Sequence, residues 1–200
     1  MIKRNLLVIG LAVLLSACGF QLRGTGTSEL AIKELDVTAR NAYGDTVVQL
    51  RQVLQSSGVK VFAGAPYKLV LANEQESQRT LSYAGAGRSG EYELTTVLNY
   101  EILGQGNLSL LSDKLQVQQV FLHDGNNLVG SDQEADQTRK EMRRDLVQRM
   151  VLRLQQLSPA QLDQLQQTAT ARAKAEADAL EAAQKAEAET PRQSPLQLNQ

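Results

Sequence analysis

Cysteine and histidine each occur once in the 200 residues, tryptophan does not occur, and neither sign of charge is in excess. Each shortage removes a class of function. One thiol cannot close an intramolecular disulfide, and a thiolate metal cluster would have to borrow ligands. One imidazole leaves the usual zinc sets of several His and Cys incomplete. Aromatic residues make up 4% of the chain, too few for a platform on which single-stranded bases stack. A net charge of −1 and a pI near 5.9 provide no basic field for nucleic acid. The length fits one domain once both ends are discounted.

Catalytic constellations are equally thin. A hydrolase needs a nucleophile, a base and an orienting carboxylate. The single imidazole, His123, precedes Asp124 in a stretch that reads as a turn, so a solvent-exposed loop histidine is expected. Adjacent side chains on an extended chain point apart, which makes Asp124 a poor partner for it. No serine lies in a Gly-x-Ser-x-Gly setting, and no Gly-rich segment ends in Lys-Ser or Lys-Thr. The run Gly85-Ala86-Gly87-Arg88-Ser89-Gly90 lies between two expected strands, not before a helix, and lacks the dipole that helps such loops hold phosphate. Glu91, Glu93 and Glu101 alternate with apolar residues, as the solvated face of a strand does. The residues do not describe an enzyme.

What is present begins with an address. Lys3 and Arg4 precede an apolar run from Leu6 to Leu15, shorter than the roughly 20 residues a bilayer-spanning helix needs and matched to a cleaved signal peptide. Leu15-Ser16-Ala17-Cys18 resembles the bacterial lipobox, in which a Leu and two small residues precede the cysteine that takes diacylglycerol. By that resemblance residues 1–17 are removed, and Cys18 carries a thioether-linked diacylglycerol and an N-acyl chain. No other cofactor is expected. A lone cysteine is ordinarily a small buried hydrophobe, but one at the end of an export segment has no core to enter. Two or more acyl chains, at about 0.8 kcal/mol per buried methylene, make the anchor stable. Gly19 stands where such lipoproteins commonly carry an inner-membrane retention aspartate, so the outer membrane, facing the periplasm, is the expected location.

Residues 18–29, with Gly19, Gly24 and Gly26, read as a lipidated tether. Ile32 to Thr38 is a strand candidate. Tyr43, Val47, Leu50 and Leu54 recur at helical spacing before Gly58. Val59 to Phe62 is extended, and Tyr67, Leu69 and Leu71 form the next strand, predicted to lie parallel to the first. Arg79 to Gly90 reads as a Gly- and Ser-rich connection. Tyr92, Leu94, Thr96, Leu98, Tyr100 and Ile102 share one face of the clearest strand. After the turn Gly104–Asn107, Leu111, Leu115, Val117 and Phe121 line one face of another. Such alternation predicts a sheet covered on one side only. Ser131 and Glu134 have capping-box spacing at the start of a long helix, with Ala135, Met142, Leu146, Met150, Leu154 and Leu157 as its apolar stripe. Ser158-Pro159 ends that helix and opens another.

The reading is an α+β fold over 30–157: a four-stranded mixed sheet in the order β-α-β-β-β-α, with two helices packed on one face. Residues 158–200 are an Ala-, Gln- and Glu-rich tail, first helical and then disordered, with few large apolar residues to bury. Arg139, Lys140, Arg143 and Arg144 on the long helix, with Arg88 in the loop, form a basic surface suited to phosphate or carboxylate groups of an anionic glycolipid. Glu141 and Asp145 among them argue for an ordinary solvated face.

The stretch Cys18-Gly19-Phe20-Gln21-Leu22-Arg23-Gly24 resembles the mature start of the LptE family of lipopolysaccharide-assembly lipoproteins. Gly90-Glu91-Tyr92, Lys140-Glu141-Met142 and the element order agree, so the resemblance covers about residues 18–157; the region after 158 departs from it. The resemblance implies a role without catalysis. Such a protein sits in the lumen of the outer-membrane β-barrel LptD, plugs it, assists its assembly and binds lipopolysaccharide. Lys140 and Arg88 would contact lipopolysaccharide, with Arg139 and Arg143 beside them. The alternative is an auxiliary lipoprotein of an envelope lipid or solute transporter. Replacing Cys18 with Ser is expected to abolish labelling by radioactive fatty acid and leave a longer precursor on a gel. Normal processing of that variant would overturn the lipobox reading.

Overall fold

The computed structural model describes residues 30–84 and 89–189. Nine elements follow in order: β1 (Glu34–Ala39), α1 (Asp45–Ser56), β2 (Lys60–Val61), β3 (Tyr67–Ala84), β4 (Ser89–Leu103), a 3-10 turn (Gln105–Asn107), β5 (Ser109–Asp124), α2 (Leu128–Gln155) and α3 (Pro159–Glu189). The strands form one sheet in the order β2-β1-β3-β4-β5. β1 pairs in parallel with both β2 and β3, while β3–β4 and β4–β5 are antiparallel. The class is the expected mixed α+β sheet, with five strands in place of four. The extra strand is Lys60–Val61, within the extended Val59–Phe62 stretch; two residues with an exposed lysine carry too little alternation to signal pairing.

One face of the sheet is dry. Leu69, Leu71, Leu94, Leu98, Tyr100, Ile102, Val117 and Phe121 are buried against Val47, Leu50 and Leu54 of α1 and Met142, Leu146, Met150 and Leu154 of α2. Tyr43 is excluded from that set: it is 92% exposed and precedes Gly44, the residue that caps α1. Gly58, at φ +84°, takes the left-handed conformation that only glycine adopts freely and ends α1. Its N–H donates to Gln55 O and that of Val59 to Leu54 O.

Two local readings change. The stretch from Arg79 is not a connection: β3 continues to Ala84 and pairs with β4 as far as Ser89, so the two strands form one long hairpin. Ser131 and Glu134 do not cap α2, which starts earlier, at Leu128, with the Asn127 side chain accepting from Gly130 N. Ser131 is buried and bonds the end of β5, accepting from Asp124 N at 2.7 Å and donating to Asp124 O at 3.2 Å. The reciprocal capping box lies one helix later. Gln161 N donates to Ser158 Oγ at 3.2 Å, and Ser158 N donates to Gln161 Oε1 at 2.9 Å, with Pro159 at the first helical position.

Gln166 of α3 holds the β4–β5 turn by accepting from Gln105 N at 3.0 Å and donating to Gln105 O at 3.3 Å. A Cβ at Gly104 would collide with the Gln166 side chain, so that close approach depends on glycine. Leu162 and Ala169 are buried; from residue 170 onward α3 is exposed apart from Ala173. No helix among the described residues is long and apolar enough to cross a membrane.

Leu98 is 1% exposed on β4, an interior strand of the sheet. Replacing it with Asp buries an unpaired carboxylate and is expected to cost at least about 3 kcal/mol, read as a lower urea midpoint. An unchanged midpoint would mean that the sheet faces are reversed.

Candidate functional site

The basic surface of α2 rests on Met142 and Leu146, which bury one side of the helix and turn Lys140 and Arg144 outward. Most of its charge is compensated locally. Arg139 Nε donates to Glu76 Oε1 at 2.8 Å, and its Nη1 to Asp136 at 2.9 Å. These bonds, that to Glu76 foremost, lift its pKa further above the ordinary arginine value. Arg143 lies 3.1 Å from Asp45 Oδ2 in the first turn of α1, and Arg144 lies 3.8 Å from Glu141. Lys140 is exposed and makes no such pair among the described residues. The four cations therefore reduce to one uncompensated charge. Arg88 and Cys18 lie outside the described residues.

Beside this surface is a cleft of about 430 Å³ at the end of β1, lined by Arg40, Asp45, Thr46, Glu74, Glu76 and Arg143 among others. Several of its polar groups answer one another: Thr46 Oγ1 donates to Glu74 at 3.0 Å, alongside the Arg139–Glu76 and Arg143–Asp45 pairs, while the exposed Arg40 side chain makes no such pair among the described residues. The sequence pattern missed both glutamates. An irregularity between Leu71 and Asn73 shifts the register of β3, so Glu74 and Glu76 stand opposite Leu98 and Thr96, on the helix-covered side. The only warning was that the alternation of β3 changes phase at this point.

His123 is not a loop residue. It is the next-to-last residue of β5 and meets the Tyr92 ring edge-on at a centroid distance of 5.2 Å. Asp124 instead accepts from Asn126 N at 2.9 Å and Ser89 Oγ at 3.0 Å, and these bonds, Asn126 first, hold its carboxyl below the usual range. No group of three or more metal-ligating side chains occurs among the described residues. The uncovered face of the sheet is largely polar, tied by Arg79–Glu93 at 2.8 Å and by bonds of Gln118 to Thr95 and Ser82 to Glu91, but it also carries exposed Val120 and Leu122 opposite Glu93 and Glu91.

A family model described as "LptE: Lipopolysaccharide-assembly" matches residues 32–154. The chain belongs to the LptE family. It is 29% identical over 160 residues to the LPS-assembly lipoprotein LptE of Pectobacterium atrosepticum, covering 78% of this chain and 86% of that protein. It is 30% identical over 153 residues to LptE of Photorhabdus laumondii, covering 74% and 83%. Among solved structures it resembles rare lipoprotein B of Shewanella oneidensis, with a TM-score of 0.55 at 22% identity over 60% of this chain and 92% of that one. It also resembles a lipoprotein B of Nitrosomonas europaea, with a TM-score of 0.56 at 25% identity over 70% and 90%. The family match ends before α3, while the basic part of α2 lies inside it.

Across the sheet, toward its β5 edge, Arg153 Nη2 donates to Asp113 Oδ2 at 2.8 Å and its Nε to Tyr100 Oη at 3.4 Å. The Asp113 carboxyl is held below its ordinary value of 3.8, first by the Lys114 N–H and then by Arg153. A depressed folded-state pKa contributes stability that is complete above the unfolded value and is lost as pH falls through the folded one. Asp113→Asn is therefore expected to flatten the stability profile between about pH 5 and pH 2, measured by urea denaturation. An Asn variant with the wild-type slope would assign the acid sensitivity elsewhere.

Proposed function

We infer that this chain is a lipopolysaccharide-assembly lipoprotein of the outer membrane, with a role that is not catalytic. It is anchored through the lipid on Cys18, sits in the lumen of the β-barrel LptD, plugs and helps assemble it, and contacts lipopolysaccharide during insertion into the outer leaflet. Membership in the family carries this reading. The polar row of β4 on the uncovered face supports it, because the interior of such barrels is polar and this row offers Glu93, Thr95, Asn99 and Glu101 to it.

Lys140 is the cation assigned to the glycolipid. A compact ammonium suits a phosphate met as a point charge, and no neighbouring carboxylate neutralises it. Arg139 and Arg143 would first have to release Glu76 and Asp45, so they position the surface and contribute less contact. Arg88 would add to the site from the hairpin loop.

Co-expression of the full chain with the barrel is expected to yield a complex that resists protease. Co-purification with an inner-membrane or periplasm-spanning transport component would favour the transporter alternative. Lys140→Asp is expected to weaken lipopolysaccharide binding about five- to tenfold with the urea midpoint unchanged, while Arg139→Ala weakens it less than about twofold. Equal affinity of wild type and Lys140→Asp would make Lys140 an ordinary surface residue.

A further inference from the structure

A long stretch of the sheet's edge lies uncovered along β3. At β5, some of the main-chain groups facing away from β4 are taken up by side chains. Asp124 N donates to Ser131, Leu122 N to Glu134 at 3.3 Å and Lys114 N to Asp113 at 2.8 Å, and Gln116 O accepts from Arg149 at 3.1 Å. On the other side β2 covers the start of β1, and where β2 ends Val37 O accepts from Arg51 Nη2 at 2.6 Å. β3 is treated differently. Its pairing with β1 stops at Ala39–Leu71, with a last bond from Arg40 N to Leu71 O at 3.4 Å, while its pairing with β4 runs on to Ala84–Ser89. Beyond Leu71 the outer edge of β3 has no neighbouring strand among the described residues.

The groups exposed there follow from the chirality of the strand, which locks side-chain direction to main-chain direction. Leu69 and Leu71 face the helices, and Leu71 O points toward β1. After the irregularity, the residues opposite Leu98, Thr96, Leu94 and Tyr92 face the helices: Glu74, Glu76, Gln78 and Thr80. Their N–H and C=O groups therefore point out from the open edge, over a span of roughly 35 Å with its flanking residues. The same rule makes Lys114, Gln116, Leu122 and Asp124 outward on β5, where side chains meet them, and also Ser112, Gln118 and Val120, which no side chain among the described residues meets. A long unpaired edge is a liability that folds normally cover, and the edge of β3 beyond Leu71 is the longest stretch left open here.

We propose that Asn73–Tyr83 is a strand-addition site for an extended segment of the barrel partner. This rests on the lumen reading above. The wall of a closed barrel has no free edge to offer, and its strands show alternate side chains to lipid. The occupant is therefore a lumenal segment, a loop or terminus, and not a wall strand. Its side chains would lie between Glu74, Glu76, Gln78 and Thr80 on one face and Gln75, Ser77 and Arg79 on the other. It is consequently polar on both faces. The cleft at the end of β1 receives the end of the segment, in line with β1. Main-chain bonds supply the recognition, as in other β-augmentation.

Hydrogen exchange of the full lipidated chain, alone and in complex with the barrel, tests this. Amides in 73–83 that exchange freely in the isolated chain are expected to slow at least about tenfold in the complex. Gln78→Pro removes one outward N–H, which an edge strand tolerates, and is expected to abolish that protection while Gln78→Ala keeps it. Unchanged exchange at 73–83 in an intact complex overturns the strand-addition site and leaves the barrel reading standing. Protection that grows with concentration of the isolated chain overturns it in favour of a second copy at this edge. A wild-type chain that co-purifies with no barrel overturns both readings.

Discussion

Leu94, Leu98, Tyr100 and Ile102 alternate along β4, so the pleat sends them all to one side, and that side must be kept from water. Two helices meet the requirement. α1 brings Val47, Leu50 and Leu54, and α2 brings Met142, Leu146, Met150 and Leu154, with six of these seven at 1% exposure or less. Every other arrangement described above depends on this one-sided burial. It commits Glu93, Thr95 and Asn99 to the uncovered face, turns Lys140 outward, and brings Arg139 and Arg143 to the rim where β3 and α1 carry acids.

At that rim, the ion pairs matter less for stability than for what they leave over. Exposed pairs contribute little because water and salt screen them. By taking up Arg139, Arg143 and Arg144, however, they turn a basic stripe into a surface with one available cation. An anion met at this surface would be held by the position of one cation instead of by bulk charge, which agrees with a chain of net charge −1. The cleft next to it is likewise polar, with its acids taken up by Thr46, Arg139 and Arg143.

The sequence allowed the dry face to be read almost residue by residue, because period-two alternation and the i, i+3, i+7 spacing of α1 are direct imprints of burial. It also allowed the parallel β1–β3 pair to be inferred from the intervening helix. What it hid was non-local or irregular. Ser131 and Glu134 have the spacing of a capping box, yet tertiary contact with β5 claims both. The true box, Ser158 and Gln161, has the same spacing, with glutamine in the third helical position. The phase change between Leu71 and Asn73 moves Glu74 and Glu76 across the sheet, and only the break in the alternation of β3 hints at it. Of the site residues, Lys140 was legible as part of a cluster; its distinction from Arg139 and Arg143 required seeing their partners.

α3 starts beside the Gly104–Asn107 turn, held there by Gln166, and its residues from 170 to 189 extend the molecule by about 30 Å at 1.5 Å per residue. The start of β1, from which the chain leads back toward Cys18, lies at that same end, since Leu35 is paired with Tyr67 and Lys68 with Leu103. The chain before β1 and the projecting helix thus leave from one pole, and the β3–β4 hairpin forms the other. A body built this way has a head and a tail, so a partner that meets the hairpin end meets none of the exposed helix.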